Sequence, residues 1–180
     1  IKEEHYLPAF DKAIDEHAKE IKLIIDNKES PNFENTINAL ENSGEVLGKV
    51  SRVFYKLLSA HSNDNLNKIA SEISPRLSRH NDSISLNQEL FLKIKKVYED
   101  KDVLDHEQQR LVQIIFDNFK LRGSLLDDDK RDVLKSMNEK LSSLSLKFNQ
   151  NTLKETNNFQ LIISDLNELD GLPEDLIELG

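Results

Sequence analysis

Apolar residues recur every three or four positions along most of the chain, the period of an α-helix with one face turned inward. Phe10, Ile14, Ile21, Ile24 and Ile25 predict a first helix over about 8–27. Ser30 and Pro31 then read as an N-cap and a first-turn proline, where the missing N–H costs nothing. From Phe33 through Ile37, Leu40, Leu47, Val50, Phe54 and Leu58 the spacing persists for nearly thirty residues. It predicts one long helix with Gly44 inside it, and a glycine there suggests close approach by a neighbouring helix. Residues 62–65 end that helix and cap the next, which carries Leu66, Ile69, Ala70, Ile73 and Leu77. Pro75 should kink or interrupt it.

Asn87 reads as the cap of a segment through Leu90, Phe91, Ile94, Val97 and Tyr98. Asp105 to Gln108 forms a capping-box variant ahead of Leu111, Ile115 and Phe119, with Gly123 as the stop. Asp127, Asp128 and Asp129 open the last long helix. Its Leu134, Met137, Leu141, Leu144 and Phe148 make a seam suited to antiparallel packing. Between Phe159 and Ile163 the pattern turns strand-like, although a lone strand cannot satisfy its own backbone. Glu174 and Asp175, after Pro173, start a further helix. The expected fold is all-α: an antiparallel bundle of long helices with at most one short strand near the C-terminus.

Composition agrees with this. Glycine and proline total 9 of 180 residues, too few for the tight turns of a sheet-rich fold. Leu, Ile, Val and Phe supply 57, which excludes a disordered chain. With no cysteine there is no disulfide framework and no thiolate chemistry. The longest apolar runs, such as Leu23-Ile24-Ile25, are far shorter than a membrane span of about 20 residues.

Net charge is −9, and the densest basic run, Lys93, Lys95 and Lys96, is more simply a solvated helix face than a nucleic-acid site. The charge is uneven. After Lys154 there is no basic residue, while Glu155, Asp165, Glu168, Asp170, Glu174, Asp175 and Glu178 are acidic. Such an end suits either a segment whose positive complement lies further along a longer polypeptide, or a docking surface for a basic partner.

The candidate chemistry is sparse. His106-Glu107-Gln108-Gln109-Arg110 approaches a His-Glu-x-x-His zinc helix, but a guanidinium stands where the second imidazole is needed. His106 and Glu107 are better read as first-turn residues. His5, His17, His61 and His80 are scattered, none in a ligand pair at helical spacing. His61-Ser62-Asn63-Asp64 holds the letters of a hydrolytic triad, yet it has a complete explanation as a helix end and cap. Asp127 to Asp129 lacks the layout of a calcium loop.

Six stretches change the picture when taken in order. They are residues 4–11, Pro31-Asn32-Phe33-Glu34-Asn35-Thr36-Ile37 with Ala39-Leu40-Glu41 and Ser43-Gly44, Val53-Phe54 with residues 60–64, Leu86-Asn87 with Leu90-Phe91, residues 148–151, and Leu169-Asp170-Gly171-Leu172-Pro173-Glu174. Together they resemble the N-terminal region of the thimet-oligopeptidase family of zinc metallopeptidases, most of all its peptidyl-dipeptidase branch, over essentially the whole chain.

Members of that family are much longer, with the zinc helix and a third, glutamate ligand several hundred residues beyond this region. The resemblance therefore assigns no catalytic, cofactor-binding or metal-ligating residue here. It implies zinc in the longer parent and none in this stretch. It also implies a helical domain over 1–158 that walls a channel for short peptide substrates. Residues 159–180 would begin the connection to a catalytic domain against which this domain packs. Neither nucleic acid nor a membrane span is expected. A cytoplasmic setting is expected, with periplasmic or exported as the alternative if a leader was removed before Ile1. The rival reading is a free-standing acidic helical adaptor.

Overall fold

The computed structural model describes residues 1–177, so Glu178 lies outside the described residues. A 3-10 turn (Glu3–His5) leads into α1 (Tyr6–Asp26), followed by a π-helical turn (Phe33–Asn38) that runs into α2 (Ala39–Glu41). Then come α3 (Glu45–Ala60), α4 (Asp64–Ser85), α5 (Gln88–Glu99), a 3-10 turn (Lys101–Val103) and α6 (His106–Leu121). The long α7 (Asp128–Asn158), a 3-10 turn (Leu166–Leu169) and α8 (Glu174–Ile177) complete the order. The fold is all-α, with no strand among the described residues. None of the described helices is long and apolar enough to cross a membrane.

The chain divides into two compact units, 1–147 and 148–180. In the first, α1 serves two apolar clusters. Its N-terminal half gives Tyr6, Phe10 and Ala13 to a cluster completed by Leu47 and Phe54 of α3 and by Leu66, Ala70 and Ile73 of α4. Its C-terminal half gives Ile21 and Ile24 to a second, with Ile37, the α5 residues Leu90, Phe91, Ile94 and Val97, and Val112, Ile115 and Phe119 of α6. The spacing that predicted these helices is the spacing of their buried positions.

Caps fall where short polar side chains permit. Asn63, Asn87 and Asp105 each accept the third following backbone N–H at 2.9 Å, and Asp127 does the same for Lys130 ahead of α7. Asn63 also donates from Nδ2 to Glu3 Oε1 at 2.7 Å, tying the cap to the chain's start. Asn63→Ala should lower stability by about 1 kcal/mol, read as the shift of a urea midpoint at unchanged slope.

Three expectations need correction. The cap before Phe33 is Asn32, not Ser30: Asn32 and Asn35 exchange side-chain-to-backbone bonds at 2.9 Å, and the turn they open is π-helical. The long helix across Gly44 is broken. Gly44 has φ +72°, a left-handed conformation that ends one helix and starts the next. Its expected close neighbour is real, since a Cβ there would lie 2.8 Å from His17 Cε1 of α1. Finally, Pro75 does not interrupt α4. Buried Ala70 and Ile73 before it, and His80 and Asp82 after it, hold both halves in one helix despite the lost donor.

In the second unit, which holds the end of α7, Asp165 Oδ1 accepts from Asn167 N at 2.9 Å to open the 3-10 turn. The strand-like segment forms no regular element. Phe159, Leu161 and Ile162 are 75%, 74% and 81% exposed and have no ladder partner among the described residues, consistent with the inability of one strand to stand alone.

Candidate functional site

Two of the scattered histidines meet. His17 lies on the buried stripe of α1 between Ala13 and Ile21, and His80 on that of α4. His80 Nε2 is 2.9 Å from His17 Nδ1, and His17 Nε2 is 3.2 Å from Ser43 Oγ in the α2–α3 turn. The hydrogen-bond network fixes the tautomers. Ser43 donates its only hydroxyl proton to Leu40 O at 2.7 Å, so its oxygen accepts from His17 Nε2–H. His17 Nδ1 then carries a lone pair and accepts from His80 Nε2–H. Nearby, Glu20 Oε2 accepts the Gly44 N–H at 2.7 Å.

That polarity decides what the cluster can do. A nucleophilic serine donates its hydroxyl hydrogen bond to the imidazole, whereas Ser43 accepts one from His17, so it is not activated. The two imidazoles spend their facing nitrogens on each other rather than on a shared cation. Among the described residues no group of three or more His, Asp or Glu side chains converges as a metal site. These donors do not fit the zinc that the resemblance implies for the parent.

Burial lowers the pKa of both imidazoles; Glu20 opposes the shift at His17, while His17 adds to it at His80. The unfolded chain therefore binds protons first as pH falls. Stability should be full above about pH 6.5 and should decline as pH drops through the lowered folded values. Thermal melts at about pH 7.5 and about pH 5 check this, and His80→Gln should flatten the difference.

His17 and Ser43 open onto a groove of about 280 Å³ lined also by Glu41, Asn81, Asn118 and Arg122. A neighbouring groove of about 420 Å³ shares Asn81 and Arg122 and includes Asp82, which is buried and accepts from Asn138 Nδ2 at 2.8 Å. Burial raises the Asp82 pKa against the opposing effects of Asn138, Lys135 and Arg122. These surfaces offer hydrogen bonds and one guanidinium; nothing in them builds a nucleophile.

The other candidates keep structural places. His106 and Glu107 are first-turn residues of α6 behind the Asp105–Gln108 capping box. His61 is the C-cap of α3 and Asn63 the N-cap of α4. His5 Nδ1 accepts from Lys2 N at 3.2 Å. Of the three lysines on α5, Lys93 donates to Asn27 O, and Lys95 and Lys96 pair with Glu99 and Asp100, so the basic run is engaged within the fold.

No family model matches the chain. It is 36% identical over 178 residues to a dipeptidyl carboxypeptidase of Escherichia coli K12, covering 98% of this chain and 26% of that protein. A thimet-like oligopeptidase of Dictyostelium discoideum is 25% identical over 182 residues, covering 97% of this chain and 26% of its own length. An oligopeptidase A of Escherichia coli K12 is 24% identical over 177 residues, with 95% and 25% covered. The chain spans about a quarter of the length of the curated relatives it matches. Over nearly its whole length, then, this helical chain is a homologue of dipeptidyl carboxypeptidase and oligopeptidase A, peptidases of the thimet-oligopeptidase family.

Proposed function

We propose that these residues are the N-terminal helical region of a zinc metallopeptidase of the peptidyl-dipeptidase type. In this reading the parent releases dipeptides from the C-termini of short peptides. These helices wall the channel that admits them, and the zinc-holding residues lie in the rest of the polypeptide. The observation that carries the reading is the near-complete match of this chain to about a quarter of a dipeptidyl carboxypeptidase. A cytoplasmic setting belongs to this reading.

The adaptor reading draws on the acidic end and the exposed apolar residues of α7. The reading frame after the Gly180 codon separates the two. A downstream His-Glu-x-x-His followed by a glutamate ligand is expected, whereas an immediate stop would favour the adaptor.

A further inference from the structure

Helix α7 is built inside out. It is 31 residues long and has no buried residue. Within the first unit it meets its own domain through Arg131, which donates to Leu126 O at 2.7 Å, Leu134 against Gly123, Asn138 on Asp82, and Leu146 on the α1–α3–α4 cluster. These positions recur at three, four and eight residues, so they share one face. Val133, Met137, Leu141 and Leu144 follow another, at four, four and three, and are 54%, 62%, 63% and 54% exposed. At about 100° per residue the centres of the two sets point roughly 120° apart, with Leu134, seven residues before Leu141, on the border where both line one groove. The largely polar side is turned inward, and a mainly apolar stripe is turned out.

We propose that this outward stripe of α7 is the seat of an amphipathic helix from the polypeptide downstream of residue 180. The proposal rests on the reading of the chain as one part of a longer peptidase. About three-quarters of the relatives' length lies outside the stretch that this chain matches, so the parent has ample chain to supply the helix. The 137–141–144 spacing of four then three is that of helices packed at a shallow angle, which calls for a partner stripe of the same spacing. Lys140 and Lys147, both exposed, border the stripe on one edge. They argue against a second copy of this chain, because a twofold antiparallel pairing centred near residue 140 would set Lys140 against its own copy. An edge of Asp or Glu on the incoming helix would complement them instead.

Cysteine labelling tests this. The 180 residues contain no cysteine, so Met137→Cys, Leu144→Cys and a control at Asp132→Cys, on the same helix but off the stripe, each introduce one defined thiol here. In the polypeptide made from the whole gene, with any other cysteines replaced, the first two should react with a water-soluble maleimide at least about tenfold more slowly than the control. Equal rates in a longer, folded polypeptide overturn the docking surface and leave the peptidase reading standing. Protection that grows with protein concentration assigns the stripe to a second copy and overturns it too. If the Met137 variant does not fold, the Leu144 variant decides alone. A reading frame that stops at Gly180 removes both readings at once, so the two failures are distinguishable.

Discussion

Phe54→Ala should destabilise the first unit by about 3–5 kcal/mol. Phe54 is fully buried at the centre of the cluster joining α1, α3 and α4. Its ring stands edge-on to Tyr6 at 5.0 Å, to Tyr55 at 5.2 Å and to Phe10 at 5.4 Å, so truncation removes three aromatic contacts and opens a cavity between three helices. Since domains are stable by only about 5–15 kcal/mol, the variant should lose a large part of its margin. The urea midpoint reads this directly. As a contrast, Leu141→Ala on the exposed side of α7 should move the midpoint of the 180-residue chain by less than about 0.5 kcal/mol. A Phe54→Ala loss below about 1 kcal/mol would contradict the described core.

The second large effect concerns two glycines four residues apart, which should respond with opposite signs. Gly44→Ala should cost more than the roughly 1–2 kcal/mol of placing an L-residue in a left-handed conformation, because φ is +72°. Its new methyl would also lie 2.8–3.0 Å from three atoms of the His17 ring, forcing the imidazole off Ser43 and His80. Gly48→Ala sits inside α3, where the methyl meets only the mobile end of Arg52, with the nearest atom at 3.1 Å. Alanine is the better helix former, so this change should stabilise by about 0.5–1 kcal/mol. Paired denaturation curves check both signs. Two changes of the same sign would mean the break at Gly44 is misplaced.

These glycines show where the sequence could be read and where it could not. The three-or-four spacing marked the helices correctly because it records which side chains are buried, and the caps followed from short polar residues before each apolar run. The break at Gly44 was hidden because the apolar spacing continues across it; only the backbone sign of one residue distinguishes a bend from a helix. At Ser30 the proline signal pointed two residues too early, since Asn32 and Asn35 could satisfy each other's backbone.

The His17–His80 contact joins residues 63 apart, beyond any local motif, yet a trace of it was present. His17 continues the stripe Tyr6, Phe10, Ala13, Ile21, and His80 continues Leu66, Ala70, Ile73, Leu77. A histidine on an apolar stripe must find a polar partner inside, and here each finds the other. For α7 the seam at Leu134, Met137, Leu141, Leu144 and Phe148 was legible, but the part played by Val133 and the direction in which the stripe points were not. Periodicity says which residues share a face and is silent on whether that face meets its own domain.

In the proposed function these helices serve a peptidase whose metal chemistry lies elsewhere in the polypeptide. The most direct test is to incubate the product of the whole gene with a short unfolded peptide and follow the fragments by mass spectrometry. Successive loss of C-terminal dipeptides, stopped by a chelator and restored by zinc, with no cleavage by the 180 residues alone, is the predicted result. Chelator-sensitive trimming by the 180 residues themselves, or no trimming by the whole product, would contradict it.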